Sequence, residues 1–280
     1  MLSVVGLLFI YLLSICQADS IHCTSSQCQP RILPDHYWTL DSRCLDDHTA
    51  CSENIGTSGT CATEEVPETS ASPTGVTSRS LPTLRGPRGN CVIYLDQTQS
   101  DSIDFGEFAN TCLTRLELCK RGLTVSVWMK IDTDRDGRMY YVSSGGQTGS
   151  SRGIAIFGSR NIETYGNTFT LTTYVTDLQT TWIAETQELP PNGRWTHVAF
   201  TWSQHHGLRL LIDGQQEDQD RFGTPSDNNN YQYTRLILGR PNSVENYFGT
   251  AGFSDLRIYY QHLENHDIAE ELSSDIFSIH

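Results

Sequence analysis

The sequence predicts an all-β protein: a two-sheet antiparallel jelly-roll sandwich, preceded by a small disulfide-rich segment and a linker. Three observations lead to this class. Most of the chain after residue 90 consists of short segments in which apolar and polar residues alternate. Only one short stretch has a helical pattern, and no cysteine follows residue 119. Many short strands with almost no helix are typical of sandwiches and jelly rolls.

The N-terminus predicts a signal peptide over residues 1–18. Residues 4–15 form an apolar run that fits the hydrophobic region of a signal peptide and is too short to span a bilayer. Cys16 and Ala18 place small residues at the two positions that signal peptidase reads, which puts cleavage after Ala18. A retained signal anchor is the alternative. No later segment is apolar enough to span a membrane, so we expect a secreted, extracellular mature chain with no membrane span.

The cysteine pattern predicts disulfide bonds. Cleavage removes Cys16 from the nine cysteines and leaves an even number, as expected in an oxidising compartment. No Cys-x-x-Cys spacing supports a metal site. Cys112 and Cys119 are close in sequence and flank a polar turn, so we expect them to pair. The pairing of the other six stays open, since spacing alone does not assign it: Cys23, Cys28, Cys44, Cys51, Cys61 and Cys91.

Composition divides the mature chain into three regions. Residues 19–61 are rich in cysteine and poor in aliphatic residues, so cross-links would have to stabilise so small a segment. Residues 62–89 are rich in Ser, Thr, Pro and Gly and predict an extended or disordered linker. Residues 90–278 are long enough for one sizeable domain. Whether 19–61 is an independent domain or a strap over the sandwich stays open.

The strands of this domain follow from period-two alternation. Apolar residues occupy every second position from Leu123 to Ile131, which places one face of that strand on a core. Asp213-Gly214 is a hairpin-turn signal. Asn265 to Leu272 predicts a single short helix. Further strands are predicted over 169–175, 182–185, 195–202, 207–214, 235–238 and 253–260.

In order along the chain, these segments resemble a known family. They read GLTVSVWMKI, GRWTHVAFTW, GLRLLIDG, RLILGRPN and AGFSDLRIYYQHLENHDIAEEL. Together they resemble a laminin-G-like, concanavalin A-like jelly roll of the variant shared with pentraxins, over roughly 90–275. The resemblance implies packing roles for Trp195 and Trp202 and a structural role for Asp255. It does not imply one function, because this scaffold hosts lectins, adhesion modules, proteoglycan binders and glycanases.

An acidic loop supplies half of a calcium-binding pattern. Asp132, Asp134 and Asp136 occupy positions 1, 3 and 5 of an EF-hand loop, and Gly137 occupies position 6. The second half is missing, because Ser143 stands where a bidentate Glu is needed. Two interpretations stay open: a non-helical calcium loop, or a polar hairpin loop whose charge the neighbouring arginines offset. Calcium is the only cofactor that the sequence indicates.

Histidines and carboxylates give no catalytic pattern. His205 and His206 are adjacent on a loop and are expected to point apart, whereas His262 and His266 have metal-compatible spacing only if both are helical. The Glu-x-Asp-x-Glu signature of glycanases on this scaffold is absent, and no phosphate loop occurs. The acidic cluster after Gly214 is interpreted as a solvated loop. We therefore expect a protein that is not an enzyme.

The function that fits these observations is a secreted binding or matrix module. It would engage an extracellular glycan or protein partner through the rim of the sandwich, with calcium assisting. The net charge of −14 argues against nucleic acid and fits an acidic surface. Two alternatives stay open: an acidic component of a mineralised extracellular matrix, and, disfavoured by the missing carboxylates, a glycoside-active enzyme. The oligomeric state is not indicated.

Overall fold

The computed structural model describes residues 21–24, 27–30, 32–40, 75–76, 81–132, 137–145, 151–160, 169–186, 193–226, 231–242 and 246–277. The chain divides into two compact units, one up to Leu33 and one from Pro34 onward. The described part of the first unit is a hairpin of β1 (Ile21–Thr24) and β2 (Gln27–Pro30). Its antiparallel register sets Cys23 opposite Cys28.

The second unit is a sandwich of two sheets. Its strands are β3 (His36–Trp38), β4 (Gly75–Val76), β5 (Thr83–Arg85), β6 (Cys91–Leu95), β7 (Ile103–Glu107), β8 (Leu123–Ile131), β9 (Gly137–Ser143), β10 (Ser151–Arg160), β11 (Phe169–Thr176), β12 (Thr180–Glu185), β13 (Thr196–Ser203), β14 (Gly207–Ile212), β15 (Gln215–Asp220), β16 (Thr224–Pro225), β17 (Tyr231–Gln232), β18 (Arg235–Leu238) and β19 (Ala251–Tyr259). A 13-residue helix, α1 (Asn265–Phe277), follows β19.

The strand orders define two sheets. Sheet I runs β16-β12-β11-β10-β9-β18-β7-β4, with β17 attached to β10. Sheet II runs β15-β14-β13-β8-β19-β6-β5, with β3 attached to β19. Neighbouring strands along both orders are antiparallel, as in the pairing of β8 with β13 and with β19. The predicted class, an antiparallel jelly-roll sandwich, is confirmed.

The core lies between the sheets. It contains alternate residues of β8 together with large side chains of the neighbouring strands, and Trp202, Tyr141 and Phe253 are its largest fully buried members. Trp202 makes an edge-to-face contact with Trp182 of sheet I at 5.2 Å between ring centroids. Aromatic pairs in this geometry contribute beyond their buried area. The packing role expected for Trp202 is therefore present.

The outer face of sheet II is also covered, because α1 lies on it. Ile268 of α1 and Leu263 just before it form a small apolar cluster with Ala199, Leu211 and Tyr259. For this reason the polar positions of β8 are buried as well as the apolar ones. No helix in the described ranges has the length and apolar character needed to cross a membrane.

A buried ionic network fastens α1 to sheet II. The Glu271 carboxylate accepts hydrogen bonds from Ser126 at 2.5 Å, from Arg257 at 2.9 Å and from the Tyr259 hydroxyl at 2.9 Å. His197 Nε2 lies 3.5 Å from the same carboxylate. Burial alone would raise the pKa of Glu271, but the His197 ring, the charge of Arg257 and the Ser126 hydroxyl together lower it to about 2.

The sandwich begins upstream of residue 90. His36–Trp38 pairs with β19, Gly75–Val76 pairs with β7 and Thr83–Arg85 pairs with β6. The last two strands fall within 62–89, where composition predicts a linker. Strands of two and three residues satisfy the backbone groups of a sheet edge without the apolar alternation that a longer strand shows.

Asp255 is a structural residue at a bulge of β19, as expected. The register of β19 on β8 shifts between Ser254 and Arg257, and Asp255 has a φ of 54°. Its buried carboxylate accepts hydrogen bonds from Tyr37 at 2.5 Å, from Ser254 and from Arg88. These contacts join β19 to the N-terminal part of the sandwich.

The structure joins Cys112 to Cys119, as their spacing predicts. Cys91 is disulfide-bonded as well, and its partner precedes it in the chain because Cys112 and Cys119 bond each other. Cys44, Cys51 and Cys61 lie outside the described residues, as does the predicted signal peptide.

Candidate functional site: a cleft at one rim of the sandwich

A cleft of about 620 Å³ opens at the rim where β8 begins and β13 ends. We call it the rim cleft. Four connections meet there: the segment before β8, the β11–β12 turn, the β13–β14 turn and the residues after β19. The lining residues are Leu116, Glu117, Cys119, Lys120, Arg121, Asp177, Trp202, Ser203, Gln204, His205, His206 and His262.

The first wall is the segment 116–122, which local bonds hold in a compact shape. A short 3₁₀ turn covers Leu116–Leu118, and the Cys112–Cys119 disulfide closes the loop around it. The backbone N–H of Gly122 then donates to the carbonyl of Cys119 at 2.9 Å. Lys120 and Arg121 are consequently presented on a cross-linked turn.

The second wall is the β13–β14 turn. The Ser203 hydroxyl accepts a hydrogen bond from the His206 N–H at 3.0 Å, and it also lies 3.1 Å from His206 Nδ1. Gly207 ends the turn with a φ of +72°, and a Cβ there would lie 2.2 Å from the Asp220 carbonyl oxygen. Only glycine fits this position without strain.

Both carboxylates of the rim cleft are occupied by contacts within the protein. Glu117 pairs with Arg115 at 2.9 Å and with Arg152 at 3.2 Å. Asp177 Oδ1 accepts hydrogen bonds from the backbone N–H groups of Gln179 and Thr180, each at 2.7 Å. Their negative charges are therefore compensated by cations or by backbone dipoles.

The cations of the rim cleft, in contrast, are free. Lys120 and Arg121 are exposed, and within the described ranges their side chains have no hydrogen-bond or ion-pair partner. The indole N–H of Trp202, which also lines the cleft, is buried and has no hydrogen-bond partner within the described residues. In a chain of net charge −14, this rim offers uncompensated donors to an anion.

His262 is held neutral beneath the cleft. Arg209 Nη2 donates to His262 Nε2 at 2.8 Å, so Nε2 is the unprotonated acceptor. Burial and then the charge of Arg209 lower the pKa of His262 to about 4. Arg209 also pairs with Glu264 at 3.0 Å and donates to Asn265 at 2.9 Å. This network fixes the chain between β19 and α1.

The histidines of the loops lie closer together than their positions in the sequence suggest. The rings of His205 and His206 are 4.8 Å apart rather than pointing away from each other, and those of His206 and His262 are 4.7 Å apart. His262 precedes α1, so it does not share a helix face with His266. Residues near 120, 205 and 262 form the site, and no local motif signals such a long-range cluster.

Asp132, the first residue of the predicted calcium loop, lies at the opposite rim. It follows Ile131, the far end of β8, roughly 26 Å along the strand from Leu123 at about 3.3 Å per residue. Asp132 is described, and its backbone N–H donates to the Thr250 carbonyl at 3.1 Å. Asp134 and Asp136 lie outside the described residues. Within the described ranges no three acidic, histidine or cysteine side chains form a metal-binding group, and calcium stays a prediction.

The acidic cluster after Gly214 is a strand and not a solvated loop. It forms β15, the edge of sheet II, and two of its carboxylates reach sheet I. Asp218 accepts from the N–H of Glu185 at 2.9 Å, and Asp220 accepts from the N–H of Ile183 at 3.1 Å. The expectation was wrong because these side chains satisfy backbone donors of β12, which gives them a structural role.

Comparisons with known proteins find a sequence relative and similar solved structures. Human adhesion G-protein coupled receptor D1 is 26% identical over 179 residues, 63% of this chain and 19% of the receptor. The chain thus spans less than a quarter of that relative's length. The botulinum neurotoxin serotype D binding domain superposes with a TM-score of 0.45 and 16% identity, over 62% of this chain and 40% of that chain. A heptameric SAP-like pentraxin from Limulus polyphemus has a TM-score of 0.40 and 18% identity, over 53% and 68%.

The family model described as the concanavalin A-like lectin/glucanases superfamily, of laminin G type, matches residues 105–269. This range covers more than half of the chain and includes β8, β13, β14 and β19, the strands on which the resemblance rests. The chain therefore belongs to the concanavalin A-like lectin/glucanase superfamily, in its laminin-G-like branch.

Proposed function

We propose that this protein is an extracellular binding module that holds the acidic group of a glycan in the rim cleft. One observation carries the proposal. The carboxylates of the cleft have partners within the protein, whereas its cationic side chains have none within the described residues. Glu117 and Asp177 are engaged within the protein, while Lys120 and Arg121 have no partner within the described residues. A carboxylate or sulfate would supply the missing charge through charge-assisted hydrogen bonds.

The shape of the site supports a small ligand. A cleft of about 620 Å³ falls within the range of small-molecule sites, which hold one or a few ring-sized groups. Its lining combines cations, the Gln204 amide and imidazoles with the indole of Trp202. Such donors suit an acidic sugar that also carries hydroxyl groups.

We further propose that the module does not catalyse a reaction. Glycoside hydrolysis requires a pair of carboxyl groups facing the scissile bond. The two carboxylates of the rim cleft instead hold Arg152 and a β-turn in place. The disulfides support export to an oxidising compartment, and the name of the human relative supports a role in adhesion.

The two lysines of the sequence provide a matched test. Glycan-array screening followed by calorimetry should show binding of uronate-bearing or sulfated oligosaccharides, without cleavage. Lys120→Ala should weaken that binding about tenfold, since charged hydrogen bonds contribute roughly 1.5–3 kcal/mol. Lys130→Ala, at the other end of β8, should leave it unchanged. Binding of neutral glycans only, or equal effects of the two variants, would contradict the proposal.

A further inference from the structure

We propose that the same rim docks on an anionic lipid bilayer, with three exposed apolar side chains entering its interface. This inference goes beyond the proposed function and rests on a different observation. Among the described residues, the exposed large apolar side chains at this rim are Leu118, Leu178 and Phe222. Phe222 is 89% exposed, and the two leucines are each 41% exposed.

Two of the three side chains lie on loops that line the rim cleft, and the third lies on a loop packed beside them. Leu118 lies in the first wall, between the lining residues Glu117 and Cys119. Leu178 follows Asp177 in the β11–β12 turn. Phe222 lies in the connection between β15 and β16. Single exposed apolar residues are ordinary, but three on neighbouring loop tips mark an interaction surface.

Close packing places the Phe222 loop beside the other two. A Cβ on Gly223 would lie 2.4 Å from Thr180 Cγ2, and one on Gly207 would lie 2.5 Å from Arg221 Cα. The Ser226 N–H donates to the Gln179 carbonyl at 2.8 Å. The β11–β12 turn, the β13–β14 turn and the Phe222 loop therefore form one continuous edge.

Hydrogen bonds hold these tips in their exposed positions. Asp220 Oδ1 accepts from the backbone N–H of Phe222 at 3.2 Å and from that of Gly223 at 2.8 Å. Asp177 fixes the turn that carries Leu178 in the same way. The Cys112–Cys119 disulfide closes the loop that carries Leu118. The apolar tips project from fixed turns, so inserting them into a bilayer requires no reordering of the loops.

Charge identifies the kind of surface that fits. Three exposed cations, Lys120, Arg121 and Arg221, lie in the same segments as Leu118 and Phe222, and within the described ranges their side chains have no partner. Cationic side chains beside apolar ones suit a membrane with anionic headgroups, which attracts the cations and accepts the apolar groups in its interface. An acidic glycan in the rim cleft accounts for Lys120 and Arg121 but leaves Phe222 in water, and a lipid surface accounts for this exposed side chain.

Vesicle flotation of the full chain tests the inference. We expect binding to vesicles of phosphatidylcholine mixed with phosphatidylserine, and at least tenfold weaker binding to phosphatidylcholine alone. Phe222→Ser should weaken binding to the mixed vesicles about tenfold. Tyr247→Ser is the matched control, because Tyr247 is 54% exposed and its backbone is bonded to Tyr140 of β9, which carries none of the three tips. A Phe222→Trp variant should shift its fluorescence to the blue on mixed vesicles.

The outcomes separate the two proposals. Failure to float with mixed vesicles would overturn the proposal that this rim docks on a bilayer. Equal flotation of the Phe222→Ser and Tyr247→Ser variants would overturn it too. So would an unshifted Phe222→Trp spectrum. Binding of a soluble acidic oligosaccharide by Phe222→Ser with unchanged affinity would support the proposed function whatever the vesicles show. Loss of vesicle binding in that same variant, with glycan binding intact, is the result we expect.

Discussion

Arg209 donates a hydrogen bond to His262 Nε2 across 2.8 Å, and the same guanidinium pairs with Glu264. One arginine thus links the second strand of the β13–β14 hairpin to the chain that leads into α1. Since a guanidinium can only donate, the bond requires the neutral imidazole. The protonation state of His262 is therefore coupled to the bond that joins β14 to the chain before α1 at this corner of the rim cleft.

The first prediction concerns the titration of His262. Its pKa is lowered to about 4 from an ordinary value of 6.5, first by burial and then by Arg209. The unfolded chain therefore takes up this proton at a higher pH than the folded one. The resulting stability is fully present above pH 6.5 and is lost as pH falls towards 4. NMR titration of the imidazole should give a midpoint near 4.

Two variants control this titration. Arg209→Gln should raise the midpoint towards the ordinary histidine value, because it removes a positive charge beside Nε2. Arg194→Gln alters an exposed arginine paired with Asp213 and should leave the midpoint unchanged. A His262 midpoint that stays near 6.5 in the native protein would show that the buried contact does not form.

The second prediction concerns the buried carboxylate of α1. The pKa of Glu271 is lowered from 4.5 to about 2, so the folded state favours the ionised form. The stability from this group is present above pH 4.5 and is lost as pH falls to about 2, a change of about 3 kcal/mol. Urea unfolding at a series of pH values would measure this slope.

Glu271→Gln should remove that slope. At neutral pH it should also destabilise the fold by about 3 kcal/mol, because Arg257 loses the nearer of its two buried carboxylates and keeps Asp255 at 3.8 Å. Glu270→Gln, on the exposed side of the same helix, should change stability by less than about 0.5 kcal/mol. Similar losses in the two variants would argue against the network.

The third prediction separates backbone strain from steric clash. Gly207 and Gly137 both have positive φ, but a Cβ at Gly207 meets the Asp220 carbonyl at 2.2 Å while one at Gly137 meets nothing within 4 Å. Gly137→Ala should therefore cost about 1–2 kcal/mol from left-handed strain alone. Gly207→Ala should cost at least about 1 kcal/mol more, because overpacking adds to it. Chemical denaturation of both variants measures the difference, and equal losses would contradict it.

The sequence predicts the strands whose apolar and polar residues alternate and misses those without this pattern. Alternation between Leu123 and Ile131 marks β8, and the fold class follows from several such strands. β10 (SRGIAIFGSR) shows no such alternation, although all of its first eight residues are buried. The Cys112–Cys119 pair is predicted because it is local. The rim cleft is not, because Lys120, His205 and His262 meet only through the closure of the sandwich, which no spacing in a single sequence encodes.

The last prediction concerns the disulfide that carries the first wall of the rim cleft. Cys112 and Cys119 close a short loop, so replacing both with Ser should destabilise the fold by about 2–3 kcal/mol in the chain-entropy treatment. The loss of structure should be confined to this loop, because the hydrogen bond from the Gly122 N–H to the Cys119 carbonyl also helps to hold it. Hydrogen exchange should quicken at the amides of 119–122 and stay unchanged in β11. The affinity for an acidic oligosaccharide should fall as well, since Lys120 and Arg121 would no longer lie on a fixed turn. Unchanged exchange at these amides would show that the hydrogen bonds alone hold the wall, and the cross-link would then contribute to stability but not to binding.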